Sequence, residues 1–186
     1  PDLIQDLGDD VRQEWHRGRW HYINIPIYLE STDEATLAGT LDHNMATVFE
    51  PPLRQNLNII QALRGNLRIW HGDEHTDAEK AVALCWILHL VGDLHQPLHT
   101  VALFSRAYFP KGDRGGNSIN VAMANETWNL HSVWDSRPTY IDGYAPTAST
   151  LWKLANQNGT ESDIDQWLKR HVGLAHRYVY TEDVKE

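Results

Sequence analysis

The chain has 186 residues, 41% of them hydrophobic and 22% charged, with eight tryptophans. That length and composition suit one domain with a sizeable core and exclude a disordered chain. Sixteen basic against twenty-five acidic residues leave a net charge of −9. This excludes nucleic-acid binding through a broad basic surface, but not through a cleft in which metal ions carry the positive charge. No apolar run reaches the roughly 18 residues that span a bilayer, so no membrane partner is expected, and no stretch reads as a signal peptide. The single cysteine, Cys85, excludes an internal disulfide and is expected in the core.

Residues 2–16 read as a helix with Leu3, Ile4, Leu7 and Val11 as its apolar stripe, and Asp9 and Arg12 share one of its faces. Residues 20–28 read as extended, because Pro26 biases Ile25 away from helix. Residues 33–49 read as partly helical. Pro52 suits a first helical turn and Gly65 a stop, which predicts a helix over 52–64. Thr76 and Glu79 fit a capping box opening a helix over about 77–95. Its apolar residues, Ala81, Val82, Leu84, Cys85, Ile87, Leu88, Leu90 and Val91, lie on nearly every side, so it is expected to be central and buried.

Residues 100–117 read as a long loop ending in Gly112-Asp-Arg-Gly-Gly-Asn117. Ser118 to Met123 alternates and reads as a short strand. Two further helices are expected over about 145–157 and 162–180, packed through Trp152, Leu154, Trp167, Leu168, Leu174 and Tyr178. No repeat, linker or low-complexity segment interrupts the chain. A single, mainly α domain over 1–186 is expected, with a short strand or β hairpin in a long loop.

Histidines are the chemical signal: the chain has 11. His89 and Asp93 are four apart and lie on one helical face, while Pro97 ends or kinks the helix and aims His99 differently. A second His-x-x-x-Asp pair follows at His131 and Asp135. A lone buried His–Asp pair is more often a satisfied hydrogen bond. Two such pairs plus His99, on an apolar support, point to metal. Nitrogen and carboxylate donors without a thiolate set suit zinc. His95 is read as exposed or as supporting the ligands, and His71 and His75 as part of a loop before a helix cap. His16, His43, His171 and His176 are read as surface or packing histidines. Trp134 is read as a buttress for its neighbours.

The segments 89–99 (His-Leu-Val-Gly-Asp-Leu-His-Gln-Pro-Leu-His), 112–117 and 129–135 (Asn-Leu-His-Ser-Val-Trp-Asp) resemble the S-one/P-one zinc nucleases. That family includes mung bean nuclease and is related to the zinc phospholipases C. Trp20-His-Tyr-Ile-Asn24 resembles a further family motif. The resemblance implies a helical fold around up to three zinc ions. Asp9, His21, His89 and Asp93 would hold one zinc, with Asp10 the competitor for Asp9. His99, His131 and Asp135 would hold a second, and Asp93 would bridge to a third. The family completes that third site with an N-terminal Trp and a nearby His, which this chain does not carry. It is therefore expected to lack the family's N-terminal segment and final helix, leaving two sites complete.

The resemblance implies hydrolysis of phosphodiesters in single-stranded DNA and RNA to 5′-phosphorylated products, with 3′-nucleotidase activity. A water between two zincs would attack phosphorus, with Asp9 orienting it and Arg12 stabilising the phosphoryl oxygens. Tyr22 would stack a base, and Asn24 and Asn117 would hydrogen-bond substrate. Plainer roles stand beside these: a surface salt bridge for Arg12, core packing for Tyr22, a turn for Asn117. A phospholipase C-like phosphodiesterase and a zinc-binding scaffold without catalysis are the alternative functions. A secreted or periplasmic monomer is expected.

Overall fold

The computed structural model describes residues 17–40, 43–123, 126–140 and 163–181. The helices read over 2–16 and 145–157, with Asp9, Asp10, Arg12, His16, Trp152 and Leu154, lie outside the described residues. In chain order the described elements are β1 (Ile25–Tyr28), α1 (Ser31–Leu37), α2 (Ile59–His71), α3 (Asp77–Leu94), β2 (Val101–Phe104), β3 (Asn120–Met123), β4 (Glu126–Asn129), α4 (Leu130–Tyr140) and α5 (Ile164–Leu174). Tight 3-10 turns at Gly18–His21 and Pro97–His99 precede β1 and β2, and a π turn at Ala175–Val179 continues α5.

Helix α2 starts where a reciprocal cap starts it. The Asn58 side chain accepts from the Gln61 amide (3.1 Å), and the Gln61 side chain accepts from the Asn58 amide (3.3 Å). This corrects the helix expected over 52–64: Pro52 is not its first turn, and Gly65 lies inside it. A small residue at 65 suits another constraint. A Cβ there would collide with Leu53 and Phe49, which cross the helix at close range.

Helix α3 opens on the expected box, with Thr76 Oγ1 accepting from the Glu79 amide (3.3 Å) and Glu79 accepting from the Thr76 amide (2.8 Å). Its expected all-round burial is not found. Ala83, Leu90 and Leu94 are buried, whereas Val82 and Leu88 are 48% and 69% exposed. Cys85 is exposed too, not in the core. The apolar run marks a helix, but α2, α5 and the 3-10 turns flank it only in part.

The stretch 20–28 is extended only from Tyr22 on, because Trp20 and His21 belong to the Gly18–His21 turn. The expected loop 100–117 begins instead with β2, which pairs in parallel with β1, Ile25 opposite Val101 and Tyr28 opposite Phe104. All four residues of β2 are buried. An unbroken apolar run of this kind is what a strand covered on both faces requires. The alternating stretch after it becomes β3, paired antiparallel with β4, and α4 follows directly. Among the described residues of 33–49 only α1 is helical, and 43–50 has no regular structure.

One core cluster joins Trp20, Ile23, Ile59, Leu63, Leu90 and Leu168, and a second joins Ile27, Leu98, Leu103, Leu130, Val179 and Tyr180. Tyr178, expected to pack, is 54% exposed, while Tyr180 is buried in its place. On α5, His171 is 6% exposed and neither ring nitrogen has a hydrogen-bond partner. Burial first, then the neighbouring His95 and Arg170, push its pKa down to about 4.

Two outcomes follow. Asn58→Ala removes the α2 cap and strips partners from the Asn44 and Ala46 carbonyls, so urea denaturation should register a loss of about 2 kcal/mol. The unfolded value of a histidine lies near 6.5, above that of folded His171. Its neutral form is therefore at no disadvantage above about pH 6.5, and stability drains away as pH falls from there toward 4. The melting temperature of the wild type should fall more steeply over that range than that of His171→Leu; parallel curves would contradict this account.

Candidate metal centre

Helix α3 sets His89 and Asp93 one turn apart on the same face, and the Gly18–His21 turn brings His21 to them from the opposite side. His21 Nδ1 lies 2.9 Å and His89 Nε2 3.1 Å from Asp93 Oδ2. His89 Nε2 lies 3.0 Å from His21 Nδ1. Beyond the helix end, Pro97–His99 turns the chain and presents His99 to a second group carried by α4. His99 Nε2 is 3.9 Å from Asp135 Oδ1, and His131 Nε2 is 3.6 Å from Asp135 Oδ2. Within each group all three donor atoms lie within 4.8 Å of one another. Zinc bonds of about 2.0–2.2 Å in a tetrahedral site place donors roughly 3.3–3.5 Å apart, so both groups fit that ion after small side-chain adjustments.

The surroundings fix which atoms face the pocket. His99 Nδ1 donates to the His21 carbonyl (2.6 Å) and His131 Nδ1 to the Gly115 carbonyl (2.7 Å). A carbonyl only accepts, so each ring keeps its proton on Nδ1 and turns the Nε2 lone pair inward. Gln96 donates to Asp135 Oδ1 (2.9 Å), orienting that carboxylate. Burial acts to raise the pKa of Asp93, but the His21 hydrogen bond and the nearby imidazoles outweigh it, so the carboxyl stays below its ordinary value. Burial lowers the pKa of His99 and favours the neutral ring. Carboxylate and neutral imidazole are the forms that bind metal. Trp86 closes one side, its ring 5.8 Å from His21 and 6.2 Å from His89.

A cavity of about 250 Å³ opens beside the second group, lined by Tyr22, Asn24, His99, Arg114, Asn117 and His131 among others. Tyr22 is 39% exposed rather than core, and Ile23 is 1% exposed. Strand alternation therefore turns Tyr22 and Asn24 to one side. The Asn117 side chain donates to the Arg114 carbonyl (2.9 Å), as in a turn, and still borders the cavity. Arg114, which the sequence reading passed over, sits at φ 61°, a backbone region that costs an ordinary side chain energy.

Among the described residues, the remaining histidines stay apart from both groups. His95 is exposed, with Nδ1 on the Val91 carbonyl (2.7 Å) and its ring against Trp167 and His171. His75 sits between Glu74 and Glu79, and His71 is the last residue of α2 rather than part of a loop. His43 packs on Phe104, His176 is exposed, and Trp134 packs into the second core cluster.

The family model described as S1/P1 Nuclease matches residues 6–186. The chain belongs to the S1/P1 nuclease family. Endonuclease 1 of Arabidopsis thaliana is 42% identical over 193 aligned residues, covering 95% of this chain and 57% of that protein. Endonuclease 4 of the same plant is 33% identical over 170 residues, 86% of this chain and 52% of that protein. Nuclease S1 of Aspergillus oryzae is 41% identical over 59 residues, 32% of this chain and 17% of that protein. The chain thus spans about half the length, or less, of these curated relatives. Its mainly helical architecture with few short strands agrees with the S1/P1 nuclease fold.

In this S1/P1 family member the loop that orients His131 is itself held by a buried anion. Asp113 is fully buried and accepts from the Leu103 amide (2.9 Å), the Gly116 amide (2.9 Å) and the Tyr180 hydroxyl (2.6 Å). Gly115, at φ 61°, lets the loop pass the Leu98 carbonyl, which a Cβ would strike. Tyr180 escaped the sequence reading because nothing local ties it to a loop 67 residues away. Tyr180→Phe keeps the packing but leaves Asp113 a donor short. It should cost about 2 kcal/mol in denaturation and weaken zinc binding about 10-fold in a chelator competition. Stability and zinc affinity both unchanged would show that the network does not position His131.

Proposed function

We propose that this chain is a zinc-dependent endonuclease that cleaves single-stranded DNA and RNA to 5′-phosphorylated products and removes 3′-phosphates from nucleotides. The observation that carries the reading is the convergence of two histidine–histidine–aspartate groups beside a cavity with an exposed tyrosine. His21, His89 and Asp93 would hold one zinc, with Asp9 as a further ligand. His99, His131 and Asp135 would hold a second, and Asp93 would reach toward a third. Bound zinc lowers the pKa of a coordinated water toward ~7 and polarises phosphoryl oxygens.

The chain's own residues supply the rest. Asp9 orients the attacking water, and Arg12 offers the phosphoryl oxygens a bidentate donor pair. Tyr22 stacks a base while Asn24 and Asn117 meet its edge or the adjoining phosphate. A base can enter such a cavity only once unstacked, which favours single strands over duplex. The amides of Asn24 and Asn117 beside Tyr22 match the donor and acceptor edge of a base, which a choline headgroup lacks. Export from the cytoplasm and a monomeric state belong to the same reading, and the family resemblance supports them.

Elemental analysis should find about two or three zinc ions per chain. His89→Ala and His131→Ala should each reduce hydrolysis of single-stranded DNA more than about 100-fold, whereas His71→Ala should leave it near wild type. Normal turnover in either ligand variant would overturn the site. Zinc retained without hydrolysis of any phosphodiester would favour a scaffold, and release of phosphocholine from lipid would favour a phospholipase.

A further inference from the structure

Tyr22 has a second side. Beyond it lies another cavity of about 250 Å³ that shares Tyr22 and Asn24 with the metal-side cavity and adds Arg19, Asn44 and Asn56. A wider space of about 510 Å³ continues outward and is bordered again by Arg19, Tyr22 and Asn56. The three spaces share lining residues at Tyr22 and together trace a path from His99 and His131 toward Arg19 and Asn56. Their combined size is at the upper end of the range of small-ligand sites.

The wall of this path is built in advance. Asn58 donates to the Asn44 and Ala46 carbonyls (2.7 and 2.9 Å), and the Asn44 amide donates to Gln61 Oε1 (2.7 Å). Trp20 Nε1 donates to the Arg54 carbonyl (2.7 Å), pinning the segment before α2 to the Gly18–His21 turn. The Tyr22 carbonyl accepts from the Ile59 amide (3.2 Å), which ties the Tyr22 backbone to the start of α2. Among the described residues, the Arg19 guanidinium, the Tyr22 hydroxyl and the Asn56 side-chain amide are not engaged by any protein partner, and Arg19 and Asn56 are exposed. A guanidinium with no carboxylate is notable in a chain of net charge −9. A cation, an aromatic face and amides along one path form the combination that takes single-stranded nucleic acid.

We infer that this path is a second nucleotide subsite, which seats the neighbouring nucleotide of the bound strand with its phosphate on Arg19 and its base against the outer side of Tyr22 and Asn56. The inference rests on the nuclease reading above and extends it from one nucleotide to at least two. It gives the chain a reason to grip an oligonucleotide more tightly than a mononucleotide.

The test is fluorescence anisotropy with the zinc-loaded chain and a labelled thymidine octamer. Phosphorodithioate linkages keep the backbone charge of this probe and resist hydrolysis. Arg19→Gln should weaken binding about 5- to 10-fold. The slope of log affinity against log salt should shrink by about 0.7, the share of one phosphate contact on a single strand. Arg19→Lys should restore most of the slope. Arg68→Gln removes an equal charge near the far end of α2, about 15 Å along the helix, and should change neither quantity. Equal affinity and slope in wild type and Arg19→Gln, equal losses in the two Gln variants, or no octamer binding at all would each overturn the subsite. Separately, a wild-type chain that binds the octamer through Arg19 yet cleaves no ordinary single strand would overturn the nuclease reading and leave the subsite standing.

Discussion

One hydrogen bond joins the two halves of the candidate centre: His99 Nδ1 to the carbonyl of His21, 2.6 Å. His21 thereby serves both donor groups, one through its ring and the other through its backbone. The bond does not stand alone. The Ile23 amide donates to the His99 carbonyl (2.8 Å) and the Ile25 amide to the Thr100 carbonyl (3.0 Å), after which β1 and β2 pair in register. The separation between the groups is thus set by backbone pairing rather than by long side chains. A slip of one residue in that pairing would turn Ile27 out of the core and carry His21 away from Asp93. Burial of β2 makes the register expensive to change, and so keeps the donor atoms where they are.

Charge explains why such rigidity is needed. Asp93 and Asp135 contribute two carboxylates, and the four imidazoles contribute none when neutral. Two divalent ions held there would leave the pocket about two charges positive, within a chain whose net charge is −9. An anionic strand would be repelled by most of the surface and drawn to that one region, which raises selectivity for the pocket without a basic face. Arg114 and Arg19 each border a cavity that Tyr22 shares. Each of the two cavities that the tyrosine borders therefore also carries a cationic side chain.

The sequence made some of this legible and hid the rest for physical reasons. The Thr76–Glu79 box and the His-x-x-x-Asp pairs are local signals, since all their consequences fall within one or two helical turns. Asn58 and Gln61 form an equally local box, yet Pro52 and Gly65 offered a competing start and stop. Gly65 lies inside the helix, where the side chains of Leu53 and Phe49 approach its backbone closely, and marks no helix end. Strand β2 was hidden because Val-Ala-Leu-Phe has no period, and its partner lies more than seventy residues earlier. The convergence of His21 with Asp93 is likewise non-local, and the family motifs made it expected where spacing alone did not. The exposed side of α3 shows the converse error: hydrophobicity predicts the helix but not how many neighbours it meets.

Asp113 takes the argument one step further. An unexposed carboxyl is costly unless its oxygens are satisfied. Its donors include the Leu103 and Gly116 backbone amides, which cannot reverse roles, and the Tyr180 hydroxyl. Burial raises the carboxyl's pKa, while these hydrogen bonds oppose the rise. The tyrosine is held protonated, first by its own burial and then by the adjacent Asp113. That arrangement suits a carboxylate surrounded by donors, and an apolar pair of the same volume could not replace it, because the Leu103 and Gly116 amides would lose their acceptor. The network ties three regions far apart in the chain: β2, the glycine-rich loop and the turn after α5. Its product is a single carbonyl, that of Gly115, held against His131. The buried Asp113 network fixes one acceptor, and that acceptor decides which nitrogen of His131 faces the pocket.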